Sequence, residues 1–345
     1  MNAALPLAAT RDTARVLDSL DVVRNANRAA QPGFYDRHDW LALTHAHIYP
    51  GDPLAIAAAR EGDDTAWLPL RDCGSSHGRA LASWYTLAFA PLFTPGTDVE
   101  TRTRLLGELA RILRRRFDTL SLWPLEADVA EELQQAFRAQ GWLPTLRFET
   151  ANWVANTAGL DFDAYWAGRP SKLRNTVRRR TKHSPFTTEV LDRFDDAGWD
   201  AYEAVYAQSW KPDEGAPAFL RDAAAQEGAA GTLRLGIARR DGVPVAAQFW
   251  TVENGHATIH KLAYLESERE HSPGTLLSVA MFRHVLDHDR PAVIDYGNGD
   301  EPYKAEWMDQ RRERFRLRLF NLRSVGGLSQ GAARAARAAL RRITG

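Results

Sequence analysis

The stretch of sequence that decides the fold is LRLGIARRDGVPVAAQFWTVENGHATIHKLAYL, residues 233–265. It contains three runs rich in apolar and β-branched residues, separated by the dipeptides Asp241-Gly242 and Asn254-Gly255. Such dipeptides adopt the positive φ angles of two-residue hairpin turns, so they are strong signals of antiparallel pairing. The stretch therefore predicts three consecutive antiparallel strands.

The pattern on both sides of this stretch predicts helices. Before it, two helices are expected, the second striped by aromatic residues at helical spacing: Trp199, Tyr202, Tyr206 and Trp210. After it come a loop at 266–273, a helix from about 274 to 288 and the strand AVIDYGNG at 292–299. We therefore predict the order helix, helix, three strands, helix, strand for this part of the chain.

The first half of the chain repeats part of this order. LAIAAAREG at 54–62 and LGIARRDG at 235–242 both predict a strand that ends in a turn. In both halves an amphipathic helix and a short strand follow. Each short strand is predicted to end in a sharp change of chain direction, at 122–124 and at 294–297. We therefore predict two copies of one fold.

The length of 345 residues also favours two domains, because one compact core rarely serves so long a chain. The composition shifts and turn signals place the divisions within it. We predict a leader at 1–33, an N-terminal and non-catalytic domain at 34–157, a catalytic C-terminal domain at 158–325 and a basic, Ala-rich tail at 326–345.

Composition excludes several classes of protein. The 44 Lys and Arg residues balance 44 Asp and Glu residues, whereas binding DNA by charge needs a cationic surplus. The single cysteine, Cys73, excludes an internal disulfide framework and a cysteine-built zinc site, and no metal is expected. No apolar run approaches the roughly 18–20 residues of a membrane helix, and no secretory leader is apparent. We expect a soluble, cytoplasmic protein; its oligomeric state is not predicted.

Two stretches resemble a known family. HATIHKLAYLESEREHSPGTLLSVAMF at 256–282 and AVIDYGNGDEPYKAEWMDQRRERFRLRLF at 292–320 are similar to the C-terminal half of the CelD-type acetyltransferases. These belong to the GNAT superfamily and share their architecture with the FemAB-like aminoacyltransferases. The shared motifs are Ser-Pro-Gly at a helix start, Asp-x-Gly-x-Gly-Asp/Glu and a Tyr-Lys pair. The resemblance is clearest over 158–325 and less specific over 34–157.

The resemblance implies a fold and a donor. The fold would be α/β (α+β), with two tandem GNAT-like domains, each a mixed and mostly antiparallel sheet flanked by helices. The donor would be acetyl-CoA or another acyl-CoA, whose pyrophosphate lies at the start of the helix after Ser272-Pro273-Gly274. Unpaired amides and the helix dipole bind anions at such a position.

The donor-binding loop departs from the family's usual Gln/Arg-x-x-Gly-x-Gly/Ala pattern. Ser272 stands in place of the first glycine, and Pro273 removes one amide donor. The alternative is an ordinary helix N-cap formed by these two residues. The residues that the resemblance implies for donor binding are Arg269, Ser272, Gly274, Thr275 and Leu276 in the loop and helix, with Lys261 and Leu262 on the third strand.

Acyl transfer to an amine needs a base for the ammonium proton and a proton donor for the departing thiolate. His260 and Asp295 are the candidate bases, Tyr303 is the candidate proton donor, and Lys304 could contact a phosphate or a carboxylate. Each has a structural alternative: a half-buried histidine, a turn cap at Asp295, and a packed tyrosine beside a surface lysine. In a regular strand Lys261 would face away from His260, so at most one of them would enter the same cleft.

Three functions remain open from the sequence. The first is transfer of an acyl group from CoA to an amino sugar or amino acid, in exopolysaccharide or envelope biosynthesis as the resemblance implies. The second is FemAB-like transfer from aminoacyl-tRNA, favoured by the basic residues between Arg169 and Lys182, which could equally form a solvated helix face. The third is a non-catalytic accessory role in a polysaccharide-synthesis system.

Overall fold

The structure, a computed structural model, describes residues 13–31 and 33–343. The chain divides into two compact units. The first unit comprises the residues up to 149 together with those from 314 onward, and the second unit comprises residues 150–313. The predicted boundary at 157 lies just after the strand at 142–156. The two units instead divide within that strand, after residue 149, and again within the last strand, after residue 313.

The described strands follow one another in this order: β1 (Thr13–Leu17), β2 (Leu54–Glu61), β3 (Asp64–Asp72), β4 (His77–Ala80), β5 (Leu92–Phe93), β6 (Thr119–Leu125), β7 (Trp142–Asn156), β8 (Phe186–Leu191), β9 (Leu233–Arg240), β10 (Val243–Glu253), β11 (His256–Tyr264), β12 (Val293–Asn298) and β13 (Gln310–Asn321).

The described helices are α1 (His38–Leu43), α2 (Val99–Leu113), α3 (Ala127–Ala139), α4 (Phe162–Ala167), α5 (Ser171–Thr181), α6 (Asp196–Ala207), α7 (Pro217–Ala229), α8 (Pro273–His284), α9 (Lys304–Trp307) and α10 (Val325–Ile343). None of the described helices is long and apolar enough to cross a membrane.

The first unit is built on a mixed sheet. Strands β2, β3 and β4 pair in antiparallel order, and β4 then pairs in parallel with β6. Helix α2 lies between β5 and β6 in the chain. It begins where the carboxylate of Asp98 accepts a hydrogen bond from the amide of Thr101 at 2.9 Å. Strand β1, within the predicted leader, pairs antiparallel with β2 and so extends the sheet.

The second unit repeats this arrangement. Strands β8, β9, β10 and β11 pair in antiparallel order, and β11 pairs in parallel with β12 after helix α8. The predicted turns lie at the two hairpins, where Asp241, Gly242, Asn254 and Gly255 all have positive φ. Both units thus contain three antiparallel strands, a helix and a strand parallel to the third. The predicted fold class, a mixed and mostly antiparallel sheet flanked by helices with the same strand order in both copies, is confirmed.

Helices cover both faces of the sheet in the second unit. Two consecutive residues of β10 show this, because successive side chains of a strand point to opposite faces. Trp250 packs edge-on against Phe282 of α8 at 5.0 Å between ring centroids. Phe249 packs edge-on against Trp199 of α6 at 5.5 Å. We call these two sides the α8 face and the α6 face of the sheet.

Candidate functional site

The parallel pairing of β11 and β12 is short. It joins His256 to Val293, Ala257 to Ile294 and, last, Thr258 to Asp295. After this point β11 continues along β10 as far as Tyr264, and β12 continues along β7. The two strands therefore separate toward their carboxyl ends, and a gap opens between them in the middle of the sheet.

A β-bulge lies in β11 just beyond the separation. Trp250 of β10 is aligned with Ile259 and Phe249 with Lys261, so His260 is an extra residue inserted between two successive positions of the ladder. A bulge of this kind bends the strand and increases its twist. The bulge therefore directs β11 away from the course that a regular strand would follow.

The bulge also changes which way the side chains point. His260 Nε2 lies 2.8 Å from the hydroxyl of Thr251, and its ring stacks on Phe249, on the α6 face. The next residue, Lys261, lies over the ring of Tyr206 on α6 at 5.6 Å. The expectation that Lys261 faces away from His260 is therefore wrong, because the inserted residue interrupts the alternation of a regular strand.

The same shift separates His260 from the residues that follow it. Leu262 and Tyr264 pack against the core on the α8 face, together with Ile259 before the bulge. The sequence predicted all of β11 as a regular strand, in which His260 would share a face with Leu262. The structure instead leaves His260 and Lys261 together on the α6 face.

Asp295 is buried at the point where the strands separate. One carboxylate oxygen accepts a hydrogen bond from the amide of Gly297 at 2.7 Å, and the other accepts one from the side-chain amide of Asn152 at 2.9 Å. His256 Nε2 lies 3.9 Å from the second oxygen. An imidazole that lies beside Asp295 is thus that of His256, at the start of β11.

Asn152 and His256 were not predicted from the sequence. Asn152 lies within the run ETANWVAN, which indicates only a strand, and its place beside Asp295 depends on the pairing of β7 with β12. His256 follows the Asn254-Gly255 turn, so a position at the strand start could be foreseen, but its proximity to a carboxylate could not.

The loop before helix α8 has a backbone shape that favours glycine. Ser272 adopts the left-handed conformation, with φ of 58° and ψ of 47°, which glycine favours and other residues rarely take. Helix α8 begins at the next residue, and the first amides of a helix have no partner within it. The amides of Gly274 and Thr275 thus lie at a helix N-terminus.

Other residues of the loop have defined places. The amide of Leu276 bonds to the carbonyl of Ser272 at 3.1 Å, and its side chain is buried. Arg269 is exposed and pairs with Glu266 at 2.9 Å. A Cβ at Gly274 would lie 3.0 Å from the ring of Tyr264, so the start of α8 packs closely on the end of β11.

A buried polar chain fixes α8 to β10. The indole of Trp250 donates to the side-chain carbonyl of Gln248 at 2.9 Å, and the amide of Gln248 donates to the hydroxyl of Ser278 at 2.7 Å. That hydroxyl donates in turn to the carbonyl of Gly274 at 2.9 Å. Since every member has a partner, the chain holds the first turn of α8 in a defined position.

Lys304 is buried rather than at the surface. Its ammonium donates to the carbonyls of Asn298 at 2.7 Å and Gly297 at 3.3 Å, and it lies 3.0 Å from a carboxylate oxygen of Glu301. Burial lowers the pKa of Lys304, and the charge of Glu301 opposes that change. The contacts of Lys304 therefore hold together the glycine-rich bend that follows Asp295.

Tyr303 lies beside this bend and keeps access to solvent. Its residue is 38% exposed, and its ring meets that of Tyr296 edge-on at 5.8 Å. Partial burial, helped by the charge of Glu301, raises the pKa of Tyr303 well above its ordinary value. The phenol therefore stays protonated at neutral pH.

The described part of the chain contains no cluster of three or more His, Cys, Asp or Glu side chains able to hold a metal ion. The groups that the sequence predicts to take part in the chemistry are Asp295, His260, Tyr303 and the amides at the start of α8. These groups lie on the elements that border the gap: β11, β12, α8 and the segment that leads into α9.

Comparison with known proteins identifies the class of domain. Residues 168–305 match the family model of the acetyltransferase (GNAT) domain. This range contains the gap, the bulge, the loop before α8 and the Tyr-Lys pair. The second unit therefore carries a GNAT-type acyltransferase domain, and the resemblance inferred from the sequence is confirmed at that level. No curated protein sequence matches the chain.

Solved structures resemble the protein over most of its length. FemX has a TM-score of 0.63 at 11% identity, covering 89% of this chain and 97% of that one. A C-terminal domain assigned to a lysylphosphatidylglycerol synthetase of Agrobacterium fabrum has a TM-score of 0.53 at 14% identity, covering 85% and 95%. L-PGS of Bacillus licheniformis has a TM-score of 0.51 at 11% identity, covering 80% and 86%. At these identities the likeness is one of fold.

Proposed function

We propose that the second unit transfers an acetyl or other acyl group from coenzyme A to an amine. The observation that carries this proposal is the separation of β11 from β12 after Thr258 and Asp295, next to the N-terminus of α8. The gap can accommodate the narrow pantetheine arm of an acyl-CoA, and the amides of Gly274 and Thr275 can donate hydrogen bonds to its pyrophosphate. The backbone of residues 260–262 then borders the thioester.

The residues around the gap divide the proton transfers between them. Asp295, held by Asn152 and Gly297, takes the proton from the acceptor's ammonium, directly or through water; His260 is the other candidate base. The nitrogen bonds to the acyl carbon as the carbon–sulfur bond breaks. The hydroxyl of Tyr303 supplies the proton that converts the departing thiolate to a thiol, and the second proton lost by the acylated nitrogen returns to the tyrosinate through water. Lys304 acts by positioning the bend between Asp295 and Tyr303.

The acceptor and the pathway follow from the family resemblance. CelD-type acetyltransferases are associated with cellulose and exopolysaccharide synthesis. This association favours an amino sugar or amino acid as the acceptor, in the biosynthesis of a polysaccharide or of the cell envelope. This assignment concerns the acceptor alone. The proposed chemistry at the gap stands independently of it.

Calorimetric titration of the full chain with acetyl-CoA, longer acyl-CoAs and free CoA tests the proposal. We expect binding of acyl-CoA, and weakened binding when Gly274 is replaced by aspartate, which would place a negative charge beside the pyrophosphate. Absence of binding to every one of these CoA compounds would overturn the proposal.

One observation favours a second candidate, transfer from aminoacyl-tRNA. Helix α5 buries Leu173 and Val177 and exposes a row of cations on its other side. FemX, whose fold this chain shares, gives the candidate its precedent in the family. The exposed cations of this row are Lys172, Arg174, Arg178, Arg179 and Lys182.

A salt titration separates the two candidates. Binding to phosphates releases counterions, so affinity for charged tRNA would fall steeply as salt concentration rises. Tight, salt-sensitive binding of aminoacyl-tRNA without binding of acetyl-CoA would select the second candidate. Binding of acetyl-CoA with only weak, non-specific tRNA affinity would select the first.

A further inference from the structure

Three of the chain's five lysines converge in the second unit. Lys211 comes from the loop between α6 and α7, Lys261 from the bulge of β11, and Lys304 from the start of α9. The charges of Lys261 and Lys304 both act on Lys211 and favour its neutral form. In a chain that uses arginine for nearly all of its positive charge, this convergence marks one region on the α6 face.

A pocket of about 260 Å³ lies beside these lysines. This volume is below the range of about 300–1,000 Å³ typical of sites for drug-sized molecules, so it suits a small occupant. Its wall is mostly apolar and aromatic, with Trp199, Tyr202, Tyr206, Pro212, Pro217 and Leu220 as lining residues. Flat aromatic walls of this kind accommodate an apolar body.

The three ammonium groups differ in their partners. Lys261 lies 2.5 Å from a carboxylate oxygen of Glu214, and Lys304 is paired with Glu301 at 3.0 Å. Lys211 lines the pocket, and among the residues that the structure describes no carboxylate forms an ion pair with it. Burial, reinforced by the charge of Lys261, lowers the pKa of Lys211 to about 8. Lys211 thus has no ion-pair partner among the described residues, although the charges of Glu214 and Glu301 act on it from a greater distance.

Two carboxylates of the pocket wall, those of Glu214 and Glu203, already have partners, and the third, that of Asp213, is exposed to solvent. Glu214 accepts a hydrogen bond from the hydroxyl of Tyr202 at 3.0 Å and pairs with Lys261. Glu203 accepts one from the indole of Trp199 at 2.8 Å, and Arg221 lies 3.7 Å from its other oxygen. Their negative charge disfavours a doubly charged phosphate in the pocket but leaves room for a single carboxylate opposite Lys211.

We propose that this pocket binds the acceptor of the acyl transfer, a small molecule with an apolar body whose carboxylate pairs with Lys211. The inference rests on the proposed function and specifies its acceptor as an amino acid-type molecule. The pocket adjoins the site because Lys261 directly follows His260 and its ammonium contacts Glu214 of the pocket wall. A ligand anchored at Lys211 thus has its remaining groups on the face of the sheet that carries the bulge.

The test uses two simple probes in the absence of any acyl donor. The first is 3-phenylpropionate, and the second is 3-phenylpropanol, which has the same apolar body without the charge. Binding is followed by tryptophan fluorescence, since Trp199 lies in the pocket wall. We expect the carboxylate to bind at least 10-fold more tightly than the alcohol near pH 7, and more tightly than phenyl phosphate.

Variants assign the preference to one side chain. Lys211→Met is expected to abolish the preference for the carboxylate and to leave binding of the alcohol unchanged, whereas Lys211→Arg is expected to retain it. Arg193→Met, which removes an exposed cation of the same unit, serves as the matched control. Thermal unfolding of each variant establishes that the fold is retained, and Lys211→Gln replaces Lys211→Met if that variant unfolds.

An equal affinity for carboxylate and alcohol, or a preference that survives in Lys211→Met, would overturn the inference. The same protein is titrated separately with acetyl-CoA. Binding of acetyl-CoA without the carboxylate preference would reject the pocket alone. The carboxylate preference without binding of any acyl-CoA would reject the proposed donor and leave the pocket in place.

Discussion

Thr258 and Asp295 are the last two residues that face each other across the parallel strands β11 and β12. One strand then follows β10 and the other follows β7. The carboxylate of Asp295 is buried at this fork and is held by two hydrogen bonds, from Asn152 and from the amide of Gly297. The fork therefore places an oriented carboxylate at the edge of the gap.

Replacement of Asp295 by asparagine tests its role as a base. The carbonyl of the new side chain could accept a hydrogen bond from Gly297, and Asn152 could turn its amide so that its unpartnered carbonyl oxygen accepts from the new amide. Both bonds would then join neutral groups and be weaker than bonds to a carboxylate. We expect kcat to fall about 100-fold or more, as for loss of a general base, and the free energy of unfolding to fall by about 1–3 kcal/mol. Steady-state kinetics and denaturant unfolding measure the two effects, with the Kd for acetyl-CoA unchanged.

The double variant Asn152→Asp/Asp295→Asn separates chemistry from folding. It restores a charge-assisted hydrogen bond between positions 152 and 295 while moving the carboxylate to the neighbouring strand. We expect stability to recover and kcat to remain low. Recovery of both would show that Asp295 only supports the fold; in that case His260→Ala, and not Asp295→Asn, should carry the loss of turnover.

Replacement of Ser272 by glycine tests the shape of the donor loop. A residue with a Cβ in the left-handed conformation costs roughly 1 kcal/mol relative to glycine. We expect Ser272→Gly to raise the Tm by about 1–2 °C, the shift that about 1 kcal/mol produces in a chain of this size. Affinity for acetyl-CoA should be equal or higher.

Ser272→Ala is the matched control for this change. It removes the same hydroxyl and keeps the Cβ, so it should not stabilise the protein. A similar gain in Tm for both variants would indicate that the hydroxyl, and not the backbone conformation, is responsible. Differential scanning calorimetry distinguishes these results.

Replacement of Tyr303 by phenylalanine tests the proton donor. Because the pKa of Tyr303 is raised above the ordinary value of 10, the phenol stays protonated over the usual assay range. We expect Tyr303→Phe to lower kcat by about 10²-fold or more, with little change in the Kd for the donor. In the unmodified protein, ionisation of this group should cause no decline in rate below about pH 10.

Tyr296→Phe is the comparison variant, since Tyr296 packs edge-on against Tyr303 but is buried. Its loss of a hydroxyl should affect stability more than rate. Equal rates for Tyr303→Phe and the unmodified protein would assign the proton transfer to another group or to water.

The lowered pKa of Lys211 predicts a dependence of stability on pH. The folded-state value is about 8, against 10.5 for the unperturbed side chain. Between these values the unfolded chain binds more protons, so the contribution of this group to the free energy of unfolding rises with pH. Below about pH 8 both states are protonated, and the penalty of the buried charge is fully present.

The comparison of Lys211→Met with the unmodified protein isolates this effect. At pH 7 the variant should be more stable by about 1–3 kcal/mol, and the difference should shrink as pH rises toward 10. Denaturant unfolding at several pH values measures it; a difference independent of pH would contradict the prediction. The charged groups around Lys211 are Lys261, Lys304, Glu203, Asp213, Glu214 and Glu301.

The sequence predicts the local features of this fold well. The turns at Asp241-Gly242 and Asn254-Gly255 depend on dipeptides that favour positive φ, and the structure has both. The repeated order of strands, helix and strand follows from periodicity within each segment. These features need no knowledge of distant parts of the chain.

The remaining features depend on pairing between segments. The run HATIHKLAYL gives no sign that one residue is inserted, because the bulge exists only relative to the register of β10. Lys304 resembles a surface lysine in sequence. It can be buried because the carbonyls of the bend at 297–299 accept hydrogen bonds from its ammonium group. The pocket beside Lys211 likewise requires residues from several elements.

The extra residue in β11 has a consequence for how this strand can vary. Without His260, Ile259 and Lys261 would pair with Trp250 and Phe249 as neighbours in a regular ladder. The strand would then lose its local bend, and the divergence from β12 would narrow. The width of the gap thus depends first on the number of residues between Ile259 and Leu262 and only second on their identity. Substitution at 260 is compatible with an open gap, and deletion is not.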